Sequence, residues 1–259
     1  MDINPAGEPL NLFRLDDQVA LVTGASSGLG ARFARVLHAV GATVVVSARR
    51  LDRLEALVAE LPGSIAIAAD VGVAADRARL ITDTIEQAGQ LDVLVNNAGI
   101  AHVAGIEHET LEQFEQVMGV NATAVWHLSK LAAPYMIERG AGSIVNVASM
   151  LGHVASTPIK QANYCASKGA VVNLTRELAA QLARKGVRVN ALCPGYFPSE
   201  MTEPMVGDSA SDNYLATFSP MPRMGRDDEL DGALLLLATR AGSYITGHSL
   251  LVDGGFTAR

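Results

Sequence analysis

The chain is predicted to fold as an α/β protein, a doubly wound parallel sheet of about seven strands in one domain. Three observations carry this. Short apolar runs alternate with longer stretches of helical spacing along nearly the whole length, the signature of βαβ units with right-handed crossovers. Hydrophobic residues make up 49% of the 259 positions and aromatics only 5%, so the core is built from Ala, Val, Leu and Ile, as suits buried parallel strands under close-packed helices. No internal repeat and no low-complexity linker divides the chain.

In order, 19–22 reads as a strand, 24–30 as a glycine-rich loop and 31–40 as a helix. Residues 43–47 form a β-branched strand followed by a helix near 51–61. A strand at 64–69 precedes a helix at 74–88, and a strand at 91–95 precedes one long helix at 111–139. Strand 143–148, helix 163–184, strand 187–192 and a short strand at 250–252 complete the series. Residues 1–17 are set apart as an N-terminal extension to a single domain over 18–259. The stretch 194–226 breaks the rhythm with Pro194, Pro198, Pro204, Pro220 and Pro222, and with Met201, Met205 and Met221. A long insertion at a strand end is commonly functional, here a substrate lid.

The net charge of −7 argues against a nucleic-acid partner, because a phosphate backbone selects basic surfaces. The first residues lack the basic and apolar regions of a signal peptide, and no run of 18 or more apolar residues suggests a membrane span. Cys165 and Cys193 lack zinc-ligand spacing, as do His102, His108, His127 and His153, so no metal is expected. A cytoplasmic protein with reduced, packed thiols is the expectation. Trp126 is expected in the core or at a subunit interface.

Thr23 is followed by Gly24, Ala25, Ser26, Ser27, Gly28, Leu29 and Gly30, a G-x-x-x-G-x-G turn that opens a helix directly after a strand. Glycine allows the tight turn and lets a ligand approach the backbone, and the helix start presents unpaired N–H groups to a pyrophosphate. Ser26 and Ser27 add hydroxyls. In such a Rossmann-type fold the end of the second strand meets the adenosine ribose. There a neutral Ala48 precedes Arg49 and Arg50, and a guanidinium suits a 2′-phosphate, so NADP(H) is expected over NAD(H), with Arg49 as the main contact. Asp70 and Val71 close the third strand, Asp70 either accepting from an adenine amino group or capping the next helix. Asn96, Asn97, Ala98 and Gly99 close the fourth, with small residues for a ribose to lie against and Asn side chains to tie strand ends or make turns.

Ser149 ends a strand, and Tyr164 and Lys168 lie four apart at the start of a helix, hence on one face. A phenol of pKa near ~10 is a poor acid–base at neutral pH, and a neighbouring ammonium is expected to lower it. Such a pair can pass a proton to or from a substrate oxygen that Ser149 holds. Ser156 lies in the same loop, but Ser149 is preferred because ligands bind at strand ends in these sheets.

From Val19 to Gly255 the sequence resembles the short-chain dehydrogenase/reductase family, on the turn 23–30, Asn96 to Gly99, Asn121, Ser149, the Tyr164-x-x-x-Lys168 pair and Pro194-Gly195. The resemblance implies that Tyr164 is the general acid/base, that Ser149 positions the carbonyl, and that Lys168 also binds the nicotinamide ribose. It implies that Asn121 holds a relay water, that Pro194 and Gly195 pass beside the nicotinamide, and that Ser199 stands where many members use Thr for the carboxamide. It also implies a homotetramer paired through the two longest helices. The loop between Ser149 and Tyr164 is longer than in many members. The expected reaction is reduction of a ketone or oxidation of a secondary alcohol. The substrate types considered are a sugar acid of the gluconate kind, a 3-oxoacyl thioester, and a cyclic or aryl ketone. The alternative from another class is an idle NADP-binding sensor or scaffold.

Overall fold

The computed structural model describes residues 8–258, so the first seven positions of the expected extension lie outside the described residues. The seven expected strands are all present: β1 (Val19–Thr23), β2 (Thr43–Ala48), β3 (Ile65–Ala68), β4 (Val93–Asn96), β5 (Gly142–Val147), β6 (Val187–Pro194) and β7 (Ser249–Val252). They form one parallel sheet in the order β3-β2-β1-β4-β5-β6-β7. The order reverses between β1 and β4, where the chain crosses from β3 to the other half of the sheet. That reversal leaves a crevice at the carboxyl ends of the strands, the place where such sheets bind ligands.

Successive residues of a strand face opposite sides, so each strand feeds two cores. Ala20, Val22, Val44, Val46, Val93 and Val95 pack against α1 (Gly28–Ala39), α2 (Leu51–Ala59) and α8 (Asp231–Ala238). Val19, Leu21, Val45, Leu94 and Ile144 pack on the opposite face against α3 (Ala74–Ala88), α5 (Ala124–Arg139) and α6 (Ala162–Leu182). Burial on both faces explains why the strands read as unbroken apolar runs rather than alternating ones.

The helices differ from expectation in three places. The single helix expected over 111–139 is α4 (Leu111–Met118) joined to α5 through a π-type turn, Gly119–Thr123. One residue more per hydrogen-bonded loop widens the turn, and fully buried Asn121 sits within it. The start of α4 is fixed by a capping box between Thr110 and Gln113. The Pro-rich stretch after β6 contains α7 (Ser209–Phe218), whose first turn is capped by Asp208. Finally, α8 is not among the expected helices. Its core, Ala233 to Ala238, is apolar at every position, and so short a run carries no periodicity that separates helix from strand. No helix among the described residues is long and apolar enough to cross a membrane.

Fully buried Leu234 places α8 inside the first core with Phe33 and Leu237. Leu234→Ala is therefore expected to lower stability by about 3 kcal/mol, as a cavity in a packed core does. A urea-unfolding midpoint checks this, and a loss no larger than that of a surface substitution would show that α8 is peripheral.

Candidate active site and cofactor cleft

The glycine-rich turn is shaped by its neighbours. Gly24 and Gly28 have φ of +68° and +51°, values that favour glycine. A Cβ on Gly24 would come within 2.7 Å of Ala98 Cα, and one on Gly30 would collide with the Gly24 carbonyl oxygen. The turn is tied to the end of β4 by a small network. Thr23 Oγ1 accepts from the backbone N–H groups of Asn97 (3.0 Å) and Ala98 (3.2 Å), and Asn97 Nδ2 donates to the carbonyls of Thr23 (2.9 Å) and Gly24 (3.3 Å). Asn96 works on the next strand over, its Nδ2 donating to Asn146 Oδ1 (2.9 Å) and Ser129 Oγ (3.2 Å). Both asparagines are thus ties between strand ends.

A cleft of about 660 Å³ runs along this edge, and every residue assigned to cofactor binding from sequence borders it. At the β2–β3 end lie Ala48, Arg49, Asp70 and Val71; at the other lie Tyr164, Lys168, Pro194, Gly195 and Ser199. Asp70 Oδ1 accepts from Gly72 N (2.8 Å), closing a local turn, and the N-cap of α3 is instead Val73, which supplies no side-chain cap. Arg49 is exposed and makes no hydrogen bond or ion pair with any described residue, whereas Arg50 is fully engaged with Ser26, Ser27 and Glu200. No side chain caps the start of α1 at Ser27, so its first N–H groups face the cleft without a side-chain partner. A cleft of this size with glycine walls, an uncapped helix start and an unpartnered guanidinium fits a dinucleotide.

The catalytic candidates converge at the far end. Lys168, 3% exposed, extends from α6 and donates from Nζ to the Val147 carbonyl at 2.7 Å. Its Nζ lies 5.5 Å from the centre of the Tyr164 ring. Burial pushes the Tyr164 phenol up to about 12, opposed by a hydrogen bond with Ser149, and burial brings Lys168 down to about 8. This corrects the expected lowering of the phenol by the ammonium: desolvation of the ring outweighs a charge that is itself committed to a backbone carbonyl. Tyr164 is therefore a neutral phenol and Lys168 an ammonium at neutral pH. Ser149, at the end of β5, also accepts from Leu151 N (3.1 Å), while Ser156 accepts from Gln161 Nε2 (2.8 Å).

Asn121 lies behind the cleft wall. Its Oδ1 accepts from Ile100 N (2.9 Å), and its Nδ2 donates to the Ile100 carbonyl (2.8 Å) and to Ser167 Oγ (3.0 Å). Gly99 sits between Asn121 and Lys168: a Cβ there would come 3.4 Å from Asn121 Oδ1 and 3.6 Å from Lys168 Nζ. The Ser199 hydroxyl faces Thr202 Oγ1 at 3.0 Å.

Several residues around the site were not singled out from sequence. Buried Asn163, next to Tyr164, donates from Nδ2 to the His102 carbonyl (3.0 Å) and to Glu109, pinning the segment after β4 beside α6. Tyr196 faces Tyr214 of α7, the two hydroxyls 3.5 Å apart, and Tyr214 donates to the Thr157 carbonyl (2.9 Å) in the long loop. These contacts join residues far apart in the chain and leave no local pattern. Cys193 is fully buried, its thiol pushed up to about 12 by burial and facing His153 Nε2 at 3.6 Å. Trp126 is 43% exposed and stacks on His127, outside the core of this chain.

Comparison with known proteins identifies the family. A family model described as enoyl-(acyl carrier protein) reductase matches residues 24–257. The gluconate 5-dehydrogenase of Gluconobacter oxydans is 38% identical over 95% of this chain and 97% of its own length. The L-tagatose-forming galactitol 2-dehydrogenase of Cereibacter sphaeroides is 41% identical over the same shares. A crystal structure of a gluconate 5-dehydrogenase from Burkholderia cenocepacia, in complex with NADP and tartrate, is 35% identical. It superposes with a TM-score of 0.92 over 97% of this chain and 100% of that one. The chain belongs to the short-chain dehydrogenase/reductase family of oxidoreductases.

Proposed function

We propose that the protein is an NADP(H)-dependent oxidoreductase that interconverts a ketone and a secondary alcohol, with Tyr164 as general acid/base. The observation that carries this is one cleft with unpartnered Arg49 at one end and Tyr164, Ser149 and Lys168 at the other. When bound, the nicotinamide supplies or accepts the hydride. In the reducing direction Tyr164 Oη gives its proton to the substrate oxygen as negative charge develops there. The Ser149 hydroxyl holds that oxygen, and the Lys168 ammonium favours the phenolate left behind. Asn121 is assigned the relay water. Acid–base groups of this kind are superfluous in a binding module, which disfavours the sensor reading.

The catalytic unit proposed is residues 18–259, with 194–226 as its substrate lid. The proposed setting is a cytoplasmic homotetramer. The substrate class to test first is a small polyhydroxylated ketone or alcohol, as in the names of the gluconate and galactitol dehydrogenases. A panel of ketones and alcohols with NADPH, NADP, NADH and NAD, followed by nicotinamide absorbance, tests the reading.

Three outcomes are expected. Tyr164→Phe lowers kcat by about a thousandfold while NADPH still binds, as loss of a general acid does; near-normal turnover with a good substrate would defeat the mechanism. Arg49→Ala raises the KM for NADPH by about tenfold to a hundredfold, the worth of a charge-assisted hydrogen-bond pair, and leaves that for NADH nearly unchanged. Equal effects on both cofactors would remove Arg49 from the 2′-phosphate. Finally, the rate of carbonyl reduction stays level at low pH and falls as pH rises through about 8, where buried Lys168 loses its charge, while the phenol, near about 12, stays protonated. A pH profile of kcat that is flat through this range would sever Lys168 from the proton step.

A further inference from the structure

Glu200 follows Ser199 in the segment after β6, yet its carboxylate is anchored across the cleft mouth. Arg50 donates to both its oxygens, from Nη1 at 2.9 Å and Nη2 at 3.0 Å, and Arg53 Nη1 donates at 2.6 Å. The same Arg50 guanidinium donates to Ser26 Oγ from Nε (3.2 Å) and Nη2 (2.9 Å), and to Ser27 Oγ (3.1 Å). One carboxylate and one guanidinium therefore join three separate pieces of chain: the segment after β6, the glycine-rich turn and the start of α2. The segment lies directly on the turn, since a Cβ on Gly28 would come 3.3 Å from Ser199 Cβ. Glu200, Arg50, Ser26, Ser27 and Ser199 all border the cleft.

We propose that Glu200 is a positioning residue, an ionic latch that holds the segment carrying Ser199 down on the glycine-rich turn and must open for the dinucleotide to enter or leave. The inference rests on the dinucleotide reading of the cleft. Geometry sets its strength. The contact is bidentate and shared by two cations, which lifts it above an isolated surface pair. The side chains of Arg50, Glu200 and Arg53 are nevertheless 39%, 52% and 48% exposed, so salt screens the latch and water can reach it. The Glu200 carboxyl is held down to about 2, chiefly by Arg50, so the latch remains charged under ordinary assay conditions.

The test is the NADPH dissociation rate, followed by nicotinamide fluorescence in a stopped-flow chase, at low and at physiological salt. It compares the native protein with Glu200→Gln, Arg50→Gln and the double variant, and repeats the series with NADH. Each single variant is expected to release both cofactors about threefold to tenfold faster. Native release is expected to speed up with salt, and that dependence to flatten in the variants. The double variant should fall short of the product of the singles, because the Arg50–Glu200 contact is lost in either one. Melting temperatures without cofactor should stay close to native, which separates the latch from a general loss of stability.

Native-like release rates in Glu200→Gln would overturn the latch while leaving the dinucleotide reading intact. Slower release of NADPH alone would also overturn it, since it would mean that Glu200 merely withholds Arg50 from the 2′-phosphate. A native protein that binds neither cofactor would defeat the dinucleotide reading itself, and the latch with it.

Discussion

A parallel sheet sends all its carboxyl strand ends to one edge, and the backbone polar groups freed there need partners. Between β1 and β4, where the strand order reverses, Thr23 and Asn97 supply them reciprocally, hydroxyl to amide and amide to carbonyl. The rest of the site depends on this knot. It brings Ala98 so close to Gly24 that no side chain fits at Gly24, and so fixes the path of the turn and the direction of α1. It also sends Gly99 toward Asn121 and Lys168, so that the cofactor end and the proton-transfer end share one rigid piece of backbone. Buried backbone groups left unpaired cost more than a typical bond contributes, which makes such a tie hard to alter without moving the cleft.

Burial then sets the chemistry of the far end. It disfavours charge on any group, and so acts in opposite senses on the two partners, raising the phenol of Tyr164 and lowering the ammonium of Lys168. The ordering that results, amine below phenol, keeps the phenolic proton in place at neutral pH. A group in that state is ready to give a proton to a carbonyl and reluctant to take one from an alcohol. The bond from Lys168 to the Val147 carbonyl is part of the same arrangement, because it offsets the desolvation of the ammonium.

How much of this was legible in the sequence depended on how local each feature is. All seven strands appear as apolar runs, and Tyr164 with Lys168 as a four-residue spacing, because both patterns repeat within a few residues. Helix α8 did not appear, since the six apolar residues Ala233 to Ala238 leave no polar face to mark its period. The π-type turn at Asn121 was invisible for a different reason: it differs from an α-turn by one hydrogen-bond register, not by composition. Contacts such as Asn163 with His102, or Arg50 with Glu200 across 150 residues, depend on the finished topology and have no local trace. The expected lowering of the Tyr164 phenol failed on similar grounds, because spacing gives proximity but says nothing of burial.

The pair Arg49–Arg50 shows what only the folded chain distinguishes. As neighbours of one type at a strand end they are equivalent in sequence, and either can meet a phosphate. Folded, Arg50 turns back over the glycine-rich turn and commits its guanidinium to Ser26, Ser27 and Glu200, while Arg49 is exposed and has no partner among the described residues. The cleft thereby acquires a direction: a guanidinium without a partner among the described residues beyond β2, an uncapped helix start in the middle, and beyond that Tyr164 and Ser149 with Lys168, which is already bonded to Val147. Phosphate-bearing ligands experience that asymmetry before any specific contact forms, because an unpaired charge at a cleft mouth attracts over a distance and a paired one largely does not. An extended ligand with a phosphate at one end and a neutral ring at the other is thus oriented by the distribution of spent and unspent hydrogen-bond donors along a single cleft.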